Sequence, residues 1–245
     1  MTYCIALRLE DGLVFLADTR TNAGVDNVGT YRKLHTFQPA ADRIFVLESA
    51  GNLATTQQVL DRIEQDLATP DAESLASVSH LSDAALYIGR LSREVAEQHR
   101  DALRAVGADG TCTFILGGQI LGARPDILLV YPEGNYIRAS DERPFLQIGE
   151  SKYGKLMLEL AVAAELDIEG ATKVALSSMV STARANLSVG PPYDLATYHN
   201  GSLEIDEGRI DADSPVLGEI QRRWTSHLLA AVADLPPIRA EDFGS

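Results

Sequence analysis

Thr2 is the residue of this chain with the most chemistry to offer. It follows Met1 and opens a strand-like run, Thr2-Tyr3-Cys4-Ile5-Ala6-Leu7-Arg8-Leu9. Removal of Met1, which a small second residue favours, leaves a hydroxyl nucleophile and a free α-amine on one residue. That amine has an unperturbed pKa of roughly 7.7–8.0, so it can serve as a general base near neutral pH without a histidine. Nucleophile plus adjacent base is the minimal unit for acyl transfer.

Five further features could act on such a terminus. Asp18 closes a second strand-like run. Lys33, in Tyr31-Arg32-Lys33-Leu34, would lower the pKa of a nearby amine or hydroxyl if buried, with Asp18 holding it charged. Ser49-Ala50-Gly51-Asn52 lies between a strand and a helix, where backbone N–H groups favour developing negative charge. Ile148-Gly149-Glu150-Ser151-Lys152-Tyr153-Gly154 is a second strand-to-helix junction. Arg184-Ala185-Asn186-Leu187-Ser188-Val189-Gly190 ends a helix. Taken singly, each also reads as an ordinary solvated strand end, surface cation or cap.

Composition narrows the classes. The 245 residues are 45% hydrophobic and 23% charged, enough for one domain with a sizeable core. A formal net charge of -14 argues against nucleic-acid and anionic-membrane partners. No apolar run approaches the ~20 residues of a membrane span, and the start lacks a signal-peptide pattern. Cys4 and Cys112 both lie in apolar runs and read as free thiols of a reducing cytoplasm. Cys4 is the alternative nucleophile. Five scattered histidines show no metal-ligand spacing, and nothing calls for a cofactor.

Periodicity supplies the elements that must position these residues. Strands are expected at 2–9 and 13–17, joined by the turn residues Asp11-Gly12, then at 33–37 and 43–48 after a polar loop from Asp18 to Thr30. Helices are expected at 52–68 and 81–105, strands at 112–118, 126–131 and 136–138, helices at 152–166 and 170–187, strands at 194–199 and 202–206, and a final helix at 216–233. Strand runs separated by helical pairs indicate a layered α+β fold rather than a doubly wound parallel sheet. One domain, 2–235, is expected, with a loosely held tail at 236–245.

In order and at matching spacing, the start "MTYC", "GLVFLADTR", "RKLH", "SAGN", "IGESKYGK" and "RANLSVG" resemble the proteasome β-subunit superfamily of N-terminal-nucleophile hydrolases. "TNAGVDN" and "GESKYGK" look more specifically like its bacterial Anbu branch, the proposed ancestral β-subunit. The resemblance implies a four-layer αββα sandwich. It implies Thr2 as nucleophile and base, Asp18 and Lys33 as the charge pair, Gly51 as the oxyanion N–H donor, Ser151 (less well Glu150) at the place of one conserved family serine, and Ser188 at that of another. Thr21, Ser49 and Leu53 would line the substrate pocket. The family's usual aspartate after the arginine is Ala185 here, which removes one partner of the terminal amine. The implied activity is that of a threonine-type peptidase on peptides or unfolded protein, in a homo-oligomer forming an open or spiral ring; no ATPase partner is assigned. The alternatives are an amidase acting on non-peptide or isopeptide amides, and a catalytically weak assembly subunit.

Overall fold

The computed structural model describes residues 1–22, 28–239 and 243. Part of the "TNAGVDN" string and part of the expected tail lie outside the described residues. Two five-stranded antiparallel sheets form the centre. The first has the order β10-β1-β2-β11-β12, from Phe145–Gly149, Tyr3–Arg8, Gly12–Asp18, Tyr193–His199 and Ile205–Ile210. The second runs β5-β6-β7-β8-β9, from Leu34–Ala40, Arg43–Gly51, Cys112–Ile120, Asp126–Val130 and Tyr136–Arg138.

Strand parity then builds four layers, because successive side chains leave opposite faces of a strand. Cys4, Ala6, Leu13, Phe15 and Ala17 of the first sheet meet Ile44, Val46, Ala50 and Ile115 of the second in a central apolar layer. Tyr3, Ile5, Leu7, Val14 and Leu16 face outward and pack against α3 (Ser151–Ala161), α4 (Ile168–Ala185) and α5 (Pro215–Ala233). Phe45, Leu47, Phe114 and Leu116 pack against α1 (Leu53–Ala68) and α2 (Leu81–Ala105) on the other side. The fold is the αββα sandwich of the α+β class. None of the described helices is long and apolar enough to cross a membrane.

Most elements fall where periodicity puts them, and the departures have local causes. The polar loop from Asp18 to Thr30 contains a small hairpin, β3 (Arg20–Asn22) with β4 (Val28–Thr30). The fifth partner of the first sheet, β10, is absent from the periodicity reading, which registers only its junction with α3. Helix α3 stops at Ala161 rather than 166. The Ala164 carbonyl is taken by the Glu10 amide of the first hairpin, and Asp167 then caps α4 by accepting from the Gly170 amide at 2.7 Å. β12 starts at Ile205 rather than 202, since 200–204 make a turn with Leu203 at φ +53°.

Candidate active site

Thr2 stands immediately before the first residue of β1, a strand held between β10 and β2. Its carbonyl accepts from the Glu150 amide at 2.7 Å. It lies so close to Gly149 that a Cβ there would meet the Thr2 carbonyl oxygen at 1.9 Å, and Gly149 adopts φ +82°. Only glycine fits that approach without strain. The neighbouring residue is fixed as firmly: the Tyr3 amide donates to Asp18 Oδ1 at 2.9 Å.

Asp18 ends β2 and is fully buried. Lys33 Nζ donates to its Oδ1 at 2.7 Å and to the Arg20 carbonyl at 2.7 Å, and lies 3.5 Å from the Met1 carbonyl. The Gly190 amide approaches Asp18 Oδ2 at 3.3 Å. Burial pushes the Asp18 carboxyl above its ordinary value, while Lys33 and the two amides pull it back toward the carboxylate. Lys33 is itself only 5% exposed, so the pair presents a desolvated cation beside the peptide unit that joins Met1 to Thr2.

Gly51 is the last residue of β6 and has φ +120°; a Cβ would stand 2.5 Å from the Thr111 carbonyl oxygen. Asn52 caps α1, its Oδ1 accepting from the Thr55 amide at 3.1 Å. Ser49 is buried on the same strand, and its amide donates to the Lys33 carbonyl at 3.0 Å, which ties the "SAGN" segment to the lysine. Thr21 follows Arg20 on β3 and Leu53 is the first residue of α1; both are partly exposed. Cys4 is buried behind this group, and burial pushes its thiol well above the ordinary value, which disfavours the thiolate a nucleophile needs.

At the second junction, Ser151 is the partly exposed first residue of α3, and its carbonyl accepts from Gln147 Nε2 at 3.2 Å. Glu150, directly before it, combines the amide that binds the Thr2 carbonyl with a buried side chain whose Oε2 accepts from Asn186 Nδ2 at 2.9 Å. Asn186 Oδ1 in turn accepts from the Ser188 amide at 2.9 Å. Sequence reading passes over the Asn186 side chain because its link to Glu150 spans 36 residues.

A threonine at the second position, a buried ion pair beside it and a glycine-ended strand, gathered at one end of two stacked sheets, mark the chain as a proteasome β-type αββα protein. No family model matches the chain, and no curated protein does. Solved structures do. An Anbu (ancestral beta-subunit) structure from Yersinia bercovieri is 39% identical with a TM-score of 0.90, the match covering 97% of this chain and 99% of that one. The helical assembly of the Anbu complex from Pseudomonas aeruginosa is 41% identical with a TM-score of 0.91, over 98% and 99%. An Anbu (Gly-1) mutant from Hyphomicrobium sp. strain MC1 is 40% identical with a TM-score of 0.90, over 98% and 100%. The chain belongs to the Anbu family.

Proposed function

We propose that this chain is a threonine-type N-terminal-nucleophile hydrolase that cleaves peptide bonds once Met1 has been removed. The observation that carries this reading is the buried Lys33–Asp18 pair, whose partners flank Thr2 on both sides: Asp18 binds the Tyr3 amide and Lys33 approaches the Met1 carbonyl. With Met1 gone, the Thr2 α-amine takes the hydroxyl proton, directly or through a water, and Thr2 Oγ attacks the scissile carbonyl. Lys33 lowers the cost of the developing alkoxide, and the Gly51 N–H receives the tetrahedral oxyanion. The protonated amine then delivers its proton to the leaving amine. The resulting ester is hydrolysed by water with the same amine as base.

Glu150 and Asn186 fit a supporting role. The Glu150 amide holds the Thr2 carbonyl, and its carboxylate is occupied by Asn186, which also fixes the Ser188 amide. Ser188 and Ser151 remain the candidate hydroxyls for orienting the amine, and Thr21, Ser49 and Leu53 the candidate pocket lining. The Pseudomonas relative's helical assembly supports a homo-oligomer of open or spiral form for this chain. Stacked with a rise, such heterologous contacts need not close into a ring. An unfolded or peptide substrate and a cytoplasmic location complete the proposal.

Intact mass before and after a Thr-directed β-lactone or epoxyketone probe tests it. Loss of Met1 followed by one adduct on Thr2, absent from Thr2→Ala, is the expected result. Retained Met1 with no adduct overturns the reading and favours an assembly subunit.

A further inference from the structure

We infer that the Tyr3 hydroxyl is the anchor that sets the position of Thr2, making Tyr3 a positioning residue for the chemistry proposed above, on which its catalytic part rests. After removal of Met1, Thr2 would be a chain end, and chain ends fray unless tied down. Two backbone ties hold this end, the Glu150 amide on the Thr2 carbonyl and Asp18 on the Tyr3 amide. Neither fixes the strand end against the helical layer. The Tyr3 side chain does.

Its ring is fully buried, and its hydroxyl lies 2.8 Å from Ser178 Oγ on α4 and 3.2 Å from Gln147 Oε1 on β10. Proton accounting fixes the direction of this network. Ser178 has one hydroxyl proton and donates it to the Gly154 carbonyl at 2.9 Å, so Ser178 accepts from Tyr3. Tyr3 also has one proton, so it shares it in a bifurcated bond, mainly with Ser178 and more weakly with Gln147 Oε1, whose amide nitrogen donates to the Ser151 carbonyl at 3.2 Å. Burial pushes the Tyr3 phenol up, so it stays a donor across the working range. One hydroxyl therefore ties the strand that carries Thr2 to α4, to β10 and, through Gln147 and Ser178, to the first turn of α3.

The space around it is as specific as the bonds. A Cβ on Gly154 would stand 2.2 Å from the Tyr3 hydroxyl oxygen and 2.3 Å from Ser178 Oγ. Gly154 is thus the residue that lets the phenol reach between two helices. The "GESKYGK" string, whose glycines at 149 and 154 have no catalytic atoms of their own, acquires a common purpose. Gly149 admits Thr2, and Gly154 admits the hydroxyl one residue on.

Reactions that depend on placement lose rate when a reacting group shifts by less than an ångström, with losses on the order of 10²-fold for a full ångström. Tyr3→Phe keeps the ring and removes the anchor. The expected outcome is a fall of about tenfold in kcat or in the probe's maximal labelling rate, with KM or the probe's half-saturation unchanged within about twofold. Ser178→Ala, which is one layer removed from Thr2, should reproduce the fall, and the double variant should lose little more than either single change. Hydrogen exchange of the N-terminal peptide reads the anchor independently of activity: amide protection within residues 3–8 should drop in both variants, most at the Tyr3 end. A wild type that never labels refutes the hydrolase and leaves the exchange result to decide the anchor. Unchanged exchange in the two variants, or unchanged kcat in variants whose parent labels on Thr2, overturns the inference. If Tyr3→Phe fails to fold, Ser178→Ala carries both measurements.

Discussion

Glu48 sits on β6 with its side chain in the layer between the two sheets, fully buried, and neither carboxyl oxygen has a hydrogen-bond partner among the described residues. It pairs in register with Leu34 and Ile115. The Cys4 thiol and the Tyr3 phenol on β1 both feel its charge. Burial outweighs the opposing influence of the Leu16 amide and pushes the Glu48 carboxyl well above its ordinary value. The native state keeps this proton at pH values where the unfolded chain has already lost it. Because the native state binds more protons, stability falls as pH rises. The loss begins near the unfolded carboxylate value of about 4.3 and continues up to the raised native value. Over that window the slope is about 1.4 kcal/mol per pH unit for one proton. Glu48→Gln mimics the protonated acid and cannot ionise. Its advantage over wild type should be small near pH 4 and then grow by about 1.4 kcal/mol per unit. For a domain of this size that is a widening gap of roughly 3–5 °C in Tm per pH unit. Thermal melts of both proteins from pH 4 to 8, at one ionic strength and one protein concentration, provide the assay. A gap that stays constant across this range refutes the reasoning, because it would mean that Glu48 ionises alike in both states.

Two further outcomes test the ion pair and the end of β6. Lys33→Ala leaves Asp18 buried without its cation and should destabilise the fold by about 3–5 kcal/mol in urea unfolding; replacing both partners by neutral residues should cost less, and a single-variant loss below about 1 kcal/mol would contradict the pairing. Gly51→Ala forces a side chain onto φ +120° and against the Thr111 carbonyl; it should cost about 2 kcal/mol and abolish Thr2 labelling, and a fully labelled, equally stable variant would remove Gly51 from the site.

Helices α1 and α2 were legible to within a residue of their ends because each has a long apolar period, and Asn52 marks the start of the first with a cap. Strands β3, β4 and β10 were not. The first two span three residues each, too short to show a period, and β10 is defined by pairing with β1 from the far end of the chain. At the site, Thr2, Asp18 and Lys33 were visible as residue types, but the burial that makes them a unit is tertiary. Glu48 follows the apolar run Ile44-Phe45-Val46-Leu47, and nothing local shows that its carboxyl is shut between two sheets without a partner. The Glu150–Asn186 bond escaped for the same reason: neither residue is unusual until α4 returns beside the start of α3.

The placement of β1 in its sheet also sets a clock on synthesis. Thr2 precedes nearly all of its partners along the chain: its strand borders β10, and the Tyr3 hydroxyl finds Gln147 only 144 residues later. The Gly190 amide on Asp18 is 172 residues from its acceptor. At about 5–20 residues per second, the ribosome needs roughly 10–40 s to supply these partners. On the proposed reading, a nascent chain thus carries Thr2 long before it holds the residues that would activate it. The order of strands would then keep the threonine chemically silent until the chain has grown past Gly190.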